Sequence, residues 1–130
     1  NLALNQNTTG TSNLGVGANA LQSNTTASYN TGLGSSALLA NTTGVQNTAV
    51  GAFALDANTT GNNNTALGYN ALTANTTNGS NVAIGAFTLT LNTTGNDNTA
   101  VGRGALSENS TANNNVAVGY NALLVNTTPQ

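Results

Sequence analysis

The chain has 130 residues, only 3% of them charged, and a formal net charge of −2. With Arg103 as its single cation it offers no basic surface to displace counterions, so no nucleic-acid partner is expected. The absence of Cys, His and Trp excludes disulfides, zinc sites and histidine-based triads, and no apolar run is long enough for membrane insertion.

A 17-residue unit recurs along the whole chain without insertion or deletion. Residues 47–63 show it, and coil positions are counted here from Asn47 as position 1. Position 5 is always Gly, position 9 always Leu, position 12 always Asn and position 14 always Thr, while position 4 is always aliphatic. Coils begin at Asn13, Asn30, Asn47, Asn64, Asn81, Asn98 and Asn115.

This period decides the fold class. Helical-hairpin repeats need roughly 33 to 47 residues, and Gly, Asn and Thr in every unit disfavour helix. The pattern predicts an all-β chain: a parallel β-solenoid (β-roll) of about seven to eight coils, forming one domain over residues 1–130. Because the first coil starts in its middle, we expect a segment of a longer array.

Within a coil, positions 2 to 4 (Thr48 to Val50) predict one strand, and Gly51 predicts a bend. Positions 6 to 9 (Ala52 to Leu55) predict a second strand, followed by turns. Stacked at about 4.8 Å, the residues at positions 4 and 9 would form two apolar columns. The predicted core comprises Val16, Leu21, Leu33, Leu38, Val50, Leu55, Leu67, Leu72, Ile84, Leu89, Val101, Leu106, Val118 and Leu123.

The constant asparagines at positions 1 and 12 predict ladders of amide hydrogen bonds. The Asn-Thr-Thr segments also fit the N-glycosylation pattern, but a glycan every 4.8 Å or so would not fit, which favours the ladder. The ladder residues are Asn24, Asn41, Asn47, Asn58, Asn64, Asn75, Asn81, Asn92 and Asn98.

Two surfaces are expected to make contacts. Small residues at positions 3 and 8 (Ala49, Ala66, Ala83, Ala54 and Ala71) are interpreted as permitting close approach between chains. Positions 6 and 7 vary most in size, which predicts an outward face for a host surface or a glycan. Its residues are Phe53, Tyr69, Asn70, Phe87, Arg103 and Tyr120.

The unit from Asn64 to Leu72, followed by Asn75-Thr76-Thr77, resembles repeats of tail-fibre-like proteins of phages and bacteria. Its Asn-x-Ala-[Val/Ile/Leu]-Gly core is similar to the head repeats of trimeric autotransporter adhesins, whose coils are commonly shorter than 17 residues. The resemblance covers the whole chain. It implies a left-handed β-roll, three chains packed side by side, and a location outside the cell, on a cell surface or on a virion.

No catalytic residue, cofactor or metal ligand is expected. Asp56, Asp97 and Glu108 occupy different coil positions, which disfavours paired-carboxylate chemistry, and Glu108 is expected to pair with Arg103 at the surface. We therefore expect a non-enzymatic, self-associating shaft segment of a fibre or adhesin. The alternatives are a filament subunit that stacks end to end, and an ice-binding solenoid with ordered Thr rows, in which only one of Thr59 and Thr60 would face outward.

Overall fold

The computed structural model describes residues 2–126, whose regular structure is seven short strands and no helix. Each strand has three residues and occupies positions 2 to 4 of its coil. The strands are β1 (Leu14–Val16), β2 (Thr31–Leu33), β3 (Thr48–Val50), β4 (Thr65–Leu67), β5 (Val82–Ile84), β6 (Thr99–Val101) and β7 (Val116–Val118).

The strands form one parallel sheet in chain order, and each pairs with the strand one coil later. The register never slips: Thr48 aligns with Thr65, Ala49 with Ala66 and Val50 with Leu67. The predicted fold class, an all-β parallel solenoid with a 17-residue coil, is confirmed. The described residues make about six turns, fewer than the seven to eight expected.

Glycine at position 5 ends each strand in a left-handed conformation, with φ between 125° and 141°. A Cβ at Gly68 would lie 2.6 Å from the carbonyl carbon and oxygen of Gly85 in the next coil. Only glycine allows both this dihedral angle and this close backbone approach, which accounts for its presence in every coil.

Positions 6 to 9 form consecutive turns, so the predicted second strand from Ala52 to Leu55 is wrong. The N–H of Ala54 donates to Gly51 O at 3.3 Å, and the N–H of Asn58 donates to Leu55 O at 3.3 Å. Positive φ occurs at position 7 and again at position 9, as at Phe53 (57°) and Leu55 (53°). Two left-handed residues with a single residue between them curl the backbone, whereas a strand needs extended dihedral angles.

Leucine at position 9 adopts this left-handed conformation in every coil, with φ between 46° and 57°. The conformation costs an L-residue about 1–2 kcal/mol, whereas full burial of a leucine contributes about 1.5–3 kcal/mol. Burial therefore outweighs the strain at each leucine that has a neighbouring coil on both sides of it. The fully buried leucines, all of which were predicted to be in the core, are Leu21, Leu38, Leu55, Leu72, Leu89 and Leu106.

The other predicted core column is wrong, because the side chains at position 4 point outward. In each strand the middle residue is the most buried one, and its two neighbours lie on the opposite face. Ala49, for example, is buried between exposed Thr48 and half-buried Val50. Leu123, predicted as core at position 9, is also exposed, since no described coil follows it. The outward residues are Val16, Leu33, Val50, Leu67, Ile84, Val101 and Val118.

The small residues at positions 3 and 8 lie inside the coil, which corrects their predicted role as contacts between chains. The leucines and asparagines fill the rest of the narrow interior, so position 3 accepts only Ala or Gly. Thr88 replaces Ala at position 8 and stays buried because its hydroxyl lies 2.9 Å from Gly85 O and 2.7 Å from Gly102 O. The corrected residues, all fully buried, are Ala49, Ala54, Ala66, Ala71 and Ala83.

Candidate functional site

The asparagines at position 12 form a continuous side-chain ladder, as predicted. Asn58 Nδ2 donates to Asn41 Oδ1 in the preceding coil at 2.9 Å, and Asn75 Nδ2 donates to Asn58 Oδ1 at 3.1 Å. Asn58 Nδ2 also donates to Gly61 O at 3.0 Å. The amide nitrogen and the amide oxygen of Asn58 are therefore both hydrogen-bonded. The ladder links Asn7, Asn24, Asn41, Asn58, Asn75, Asn92, Asn109 and Asn126.

The burial of these asparagines favours the ladder over glycosylation. From Asn24 to Asn109 the ladder asparagines are fully buried, although each fits the acceptor pattern. Their Nδ2 atoms, which would carry the glycan, donate to two protein oxygens each. The geometry therefore favours the structural ladder for these asparagines.

The asparagines at position 1 form a second ladder with different chemistry. Asn47 Oδ1 accepts the backbone N–H of Asn64 in the next coil at 3.0 Å, while Asn47 Nδ2 donates to Gly61 O at 2.8 Å. Gly61 O thus accepts from both Asn47 and Asn58, which lie at the start and near the end of one coil. This shared carbonyl closes the coil. The second ladder comprises Asn13, Asn30, Asn47, Asn64, Asn81, Asn98 and Asn115.

A third, partial ladder at position 16 was missed by sequence reasoning. Asn62 Oδ1 accepts the N–H of Val45 at 2.7 Å, and Asn96 Oδ1 accepts the N–H of Gly79 at 3.1 Å. Ser28 Oγ acts in the same way two coils before Asn62. A constant residue is not needed here, because each acceptor serves only the coil before it. The acceptors at position 16 are Ser28, Asn62, Asn96 and Asn113, and Asn113 Oδ1 accepts the N–H of Asn96 at 2.7 Å. The recurrence of amide and hydroxyl residues at this position is the signal that could have revealed the ladder.

The side chains at positions 2 and 4 of β1 to β7 form one outward surface, called here the outer sheet face. It runs for six steps of about 4.8 Å, or about 29 Å in all. Its aliphatic column is between 43% and 70% exposed at Val16, Leu33, Leu67 and Val118. Continuous apolar surface of this kind marks an interaction site more often than isolated exposed residues do.

Five side chains of the predicted contact face meet in a line that we call the aromatic–arginine row: Phe53, Tyr69, Phe87, Arg103 and Tyr120. The rings of Phe53 and Tyr69 are 6.1 Å apart between centroids, and those of Tyr69 and Phe87 are 5.4 Å apart, both edge to face. The Arg103 guanidinium carbon lies 5.8 Å from the ring centroids of both Phe87 and Tyr120, and Arg103 Nη1 donates to Tyr120 Oη at 3.3 Å. The sixth predicted residue, Asn70, is half-buried and makes none of these contacts.

Threonine columns lie at the Asn-Thr-Thr corner of the coil. Hydroxyls at position 13 donate to the carbonyl of the same position one coil later, as from Thr59 to Thr76 O at 3.1 Å. Position 14 is exposed in every described coil. Thr59 is half-buried beside exposed Thr60, so both columns reach the surface, contrary to the prediction that only one would. The position 14 column, called here the threonine row, contains Thr9, Thr26, Thr43, Thr60, Thr77, Thr94 and Thr111; Thr128 lies outside the described residues.

The ionisable side chains are scattered. Burial raises the pKa of Asp56, opposed in part by backbone hydrogen bonds at Asp56 and Ala57. Arg103 bonds to Tyr120 and, within residues 2–126, forms no ion pair with Glu108, which corrects the expected pairing. In the same part of the chain the surface has no pocket, no three Asp, Glu, His or Cys side chains converge, and no helix is long and apolar enough to cross a bilayer.

The parallel register, the closed 17-residue coils and the asparagine ladders define this chain as a tandem-repeat parallel β-solenoid. Comparison with protein-family models, with curated proteins and with solved structures found no significant match. The class therefore rests on the geometry of the repeat itself.

Proposed function

We propose that this chain is a non-enzymatic structural segment of a fibre or adhesin shaft that projects and rigidifies an appendage on a cell surface or virion. The observation that carries the proposal is axial continuity. Each coil bonds to the next at its strand, at its turns and through two asparagine ladders. Bending the axis would stretch all of these bonds on one side together, so such a coil is suited to act as a rod.

In this proposal the shaft is an assembly of chains packed side by side through the outer sheet face. That face combines an aliphatic column at position 4 with a mixed column of Thr, Val and Leu at position 2, and it carries no charge. It repeats with the same period in every copy, so coils of neighbouring chains can match one to one. Burying it would remove apolar side chains such as Leu67 and Val118 from water. A homotrimer of left-handed coils is the arrangement that the resemblance to adhesin heads implies.

The test is the molar mass in solution, measured by light scattering behind a sizing column. We expect three times the chain mass of 12.8 kDa. A variant carrying Leu67→Lys and Ile84→Lys places two charges on the outer sheet face and should be monomeric. The matched control, Thr77→Lys with Thr94→Lys, adds the same charges to the threonine row of the same two coils and should keep the trimer mass.

Two outcomes would refute the side-by-side assembly. A monomeric wild-type protein would leave the outer sheet face without a partner. Large, polydisperse species with a repeat of about 4.8 Å along the fibre would favour end-to-end filaments instead, in which the strand edges of successive chains pair.

Ice binding is a second candidate, favoured by the threonine row. The row presents one exposed threonine in each of seven successive coils at a step of about 4.8 Å, a regular surface on which water can order. Thermal hysteresis that disappears in the Thr77→Lys, Thr94→Lys variant would support it. A wild-type protein without thermal hysteresis would refute it.

A further inference from the structure

The aromatic–arginine row departs from the constancy of the repeat in a regular way. From the coil of Asn47 onward, each coil carries one large side chain at position 6 or 7 and a small or amide residue at the other. Phe53 follows Ala52, and Phe87 follows Ala86, whereas Tyr69 precedes Asn70. The two preceding coils carry only small or amide residues at both positions. The row is thus a local feature, about four coil steps or roughly 19 Å long.

The backbone at position 7 does not select for phenylalanine. Phe53 and Phe87 have φ of 57° and 58°, a left-handed conformation that suits Asn and Gly and disfavours aromatic residues. Asn19, Asn70 and Asn121 occupy the same position in other coils. The phenylalanines remain 40% and 37% exposed, so burial offsets this strain less than it does for the leucines. Strained, exposed aromatic residues indicate a role outside the fold itself.

Arg103, the only cation of the chain, lies inside this row. Its guanidinium group is bracketed by the rings of Phe87 and Tyr120, and one of its five N–H donors bonds to Tyr120 Oη. Within residues 2–126 no carboxylate of the chain neutralises it. The rest of the chain carries only three acidic side chains, so an anionic ligand finds attraction at this one place.

We propose that the aromatic–arginine row binds a linear oligosaccharide that carries carboxylates on some of its sugars. Sugar rings have apolar C–H faces that aromatic rings can cover, and ring separations of 5.4 Å and 6.1 Å allow successive sugars to meet successive side chains. A carboxylate accepts two parallel N–H bonds from a guanidinium group. The row thus combines apolar coverage along the chain with one anion contact at Arg103.

This binding role goes beyond the proposed shaft function and does not depend on it. Single-stranded nucleic acid also stacks on aromatic rows, but it needs several cations along its backbone, and this row has one. A second copy of the chain in register would set Arg103 against Arg103, whereas the outer sheet face has no charge. An acidic sugar chain therefore fits the row better than either.

The experiment is calorimetric titration of the full chain with a hyaluronan hexasaccharide, in which acidic and neutral sugars alternate. A neutral hexamer of N-acetylglucosamine serves as the comparison ligand. We expect the neutral hexamer to bind at least about tenfold more weakly, and binding of the acidic hexamer to weaken at high salt. Arg103→Gln should lower the affinity for the acidic hexamer at least about tenfold and abolish its advantage over the neutral one.

Fold-preserving variants come from the chain itself. Tyr69→Ala and Phe87→Asn introduce residues that the same coil positions hold elsewhere, and each should weaken binding several-fold. The matched control is Tyr29→Ser, since Tyr29 is an exposed tyrosine outside the row and Ser12 and Ser80 occupy its position in other coils. This control should change the affinity less than about twofold.

Three results would overturn the proposal. One is the absence of binding up to about 10 mM acidic hexamer, which is about tenfold above a weak dissociation constant of about 1 mM. Another is equal binding by Arg103→Gln and the wild type. The third is a fall in molar mass in Phe87→Asn, which would make the row an interface between chains. Since the shaft proposal is judged by the mass of the outer-sheet variants, the two proposals can fail separately.

Discussion

The buried asparagine ladder offers the sharpest test of how this coil is held together, and Asn58 is its most informative member. The substitution Asn58→Ala removes two donated bonds, to Asn41 Oδ1 and Gly61 O, and one accepted bond, from Asn75 Nδ2. The side chain is fully buried, so no solvent water replaces these partners directly. The change therefore tests whether buried amide bonds, rather than apolar area alone, stabilise the solenoid.

The size of the loss in the free energy of unfolding depends on which hydrogen-bond partners of Asn58 keep another partner after the substitution. Gly61 O keeps Asn47 Nδ2 at 2.8 Å, and Asn75 Nδ2 keeps Asn78 O at 2.9 Å. Only Asn41 Oδ1 loses its donor and becomes a buried acceptor without a partner, which costs about 1–3 kcal/mol. With about 0.5–1.5 kcal/mol for each of the other two bonds, the free energy of unfolding should fall by about 2–6 kcal/mol.

The assay is urea denaturation followed by far-UV circular dichroism at one fixed protein concentration, because self-association would change the apparent stability. Thr60→Ala is the control: it alters an exposed side chain in the same corner and should change stability by less than about 0.5 kcal/mol. Asn58→Asp keeps the shape but places an oxygen against Asn41 Oδ1 and Gly61 O. At neutral pH it should destabilise at least as much as Ala, because it buries an unpaired charge.

The reasoning would be refuted if Asn58→Ala and Thr60→Ala had the same small effect. It would also fail if Asn58→Asp were tolerated at neutral pH, since the Nδ2 donors would then be dispensable.

Three further predictions follow from the coil geometry. Gly68→Ala should lower the free energy of unfolding by about 3 kcal/mol or more, because the new Cβ would meet the Gly85 backbone at 2.6 Å and φ is 141°; chemical denaturation measures it. Leu55→Ala should cost about 2–5 kcal/mol and Leu67→Ala less than about 1 kcal/mol in dilute, monomeric protein, and equal costs would contradict the outward assignment of position 4. Burial raises the pKa of Asp56, so the folded state binds the proton of this carboxyl group more tightly than the unfolded state does. The contribution of Asp56 to the free energy of unfolding should therefore be most favourable below the ordinary pKa near 3.8. It should decline as pH rises through the folded-state pKa. Asp56→Asn should remove that part of the pH dependence in a series of denaturation curves.

The candidate sites were predictable to different depths. The ladders follow from two constant asparagines per coil, since a constant polar residue in a stacked coil meets its own copy and can satisfy it. The members of the aromatic–arginine row could be singled out by their size variation at positions 6 and 7. Their contacts could not be predicted, because Phe53 at position 7 meets Tyr69 at position 6 only through the particular curl of the turn.

The repeat itself determined the stacking, the parallel register, the buried leucine column and the glycine bends, because a fixed period without insertions allows only one alignment of coil on coil. Tertiary structure alone decided which side of the strand faces inward. A three-residue strand such as Thr48 to Val50 can turn either face to the core, and apolar character favours burying valine. The narrow interior, already filled by Leu55, Asn47 and Asn58, accepts only the Cβ of alanine, so the aliphatic column is left outside. The left-handed conformation of the leucines could not be predicted from the sequence for a related reason: its strain is offset by burial that exists only once the coils are stacked.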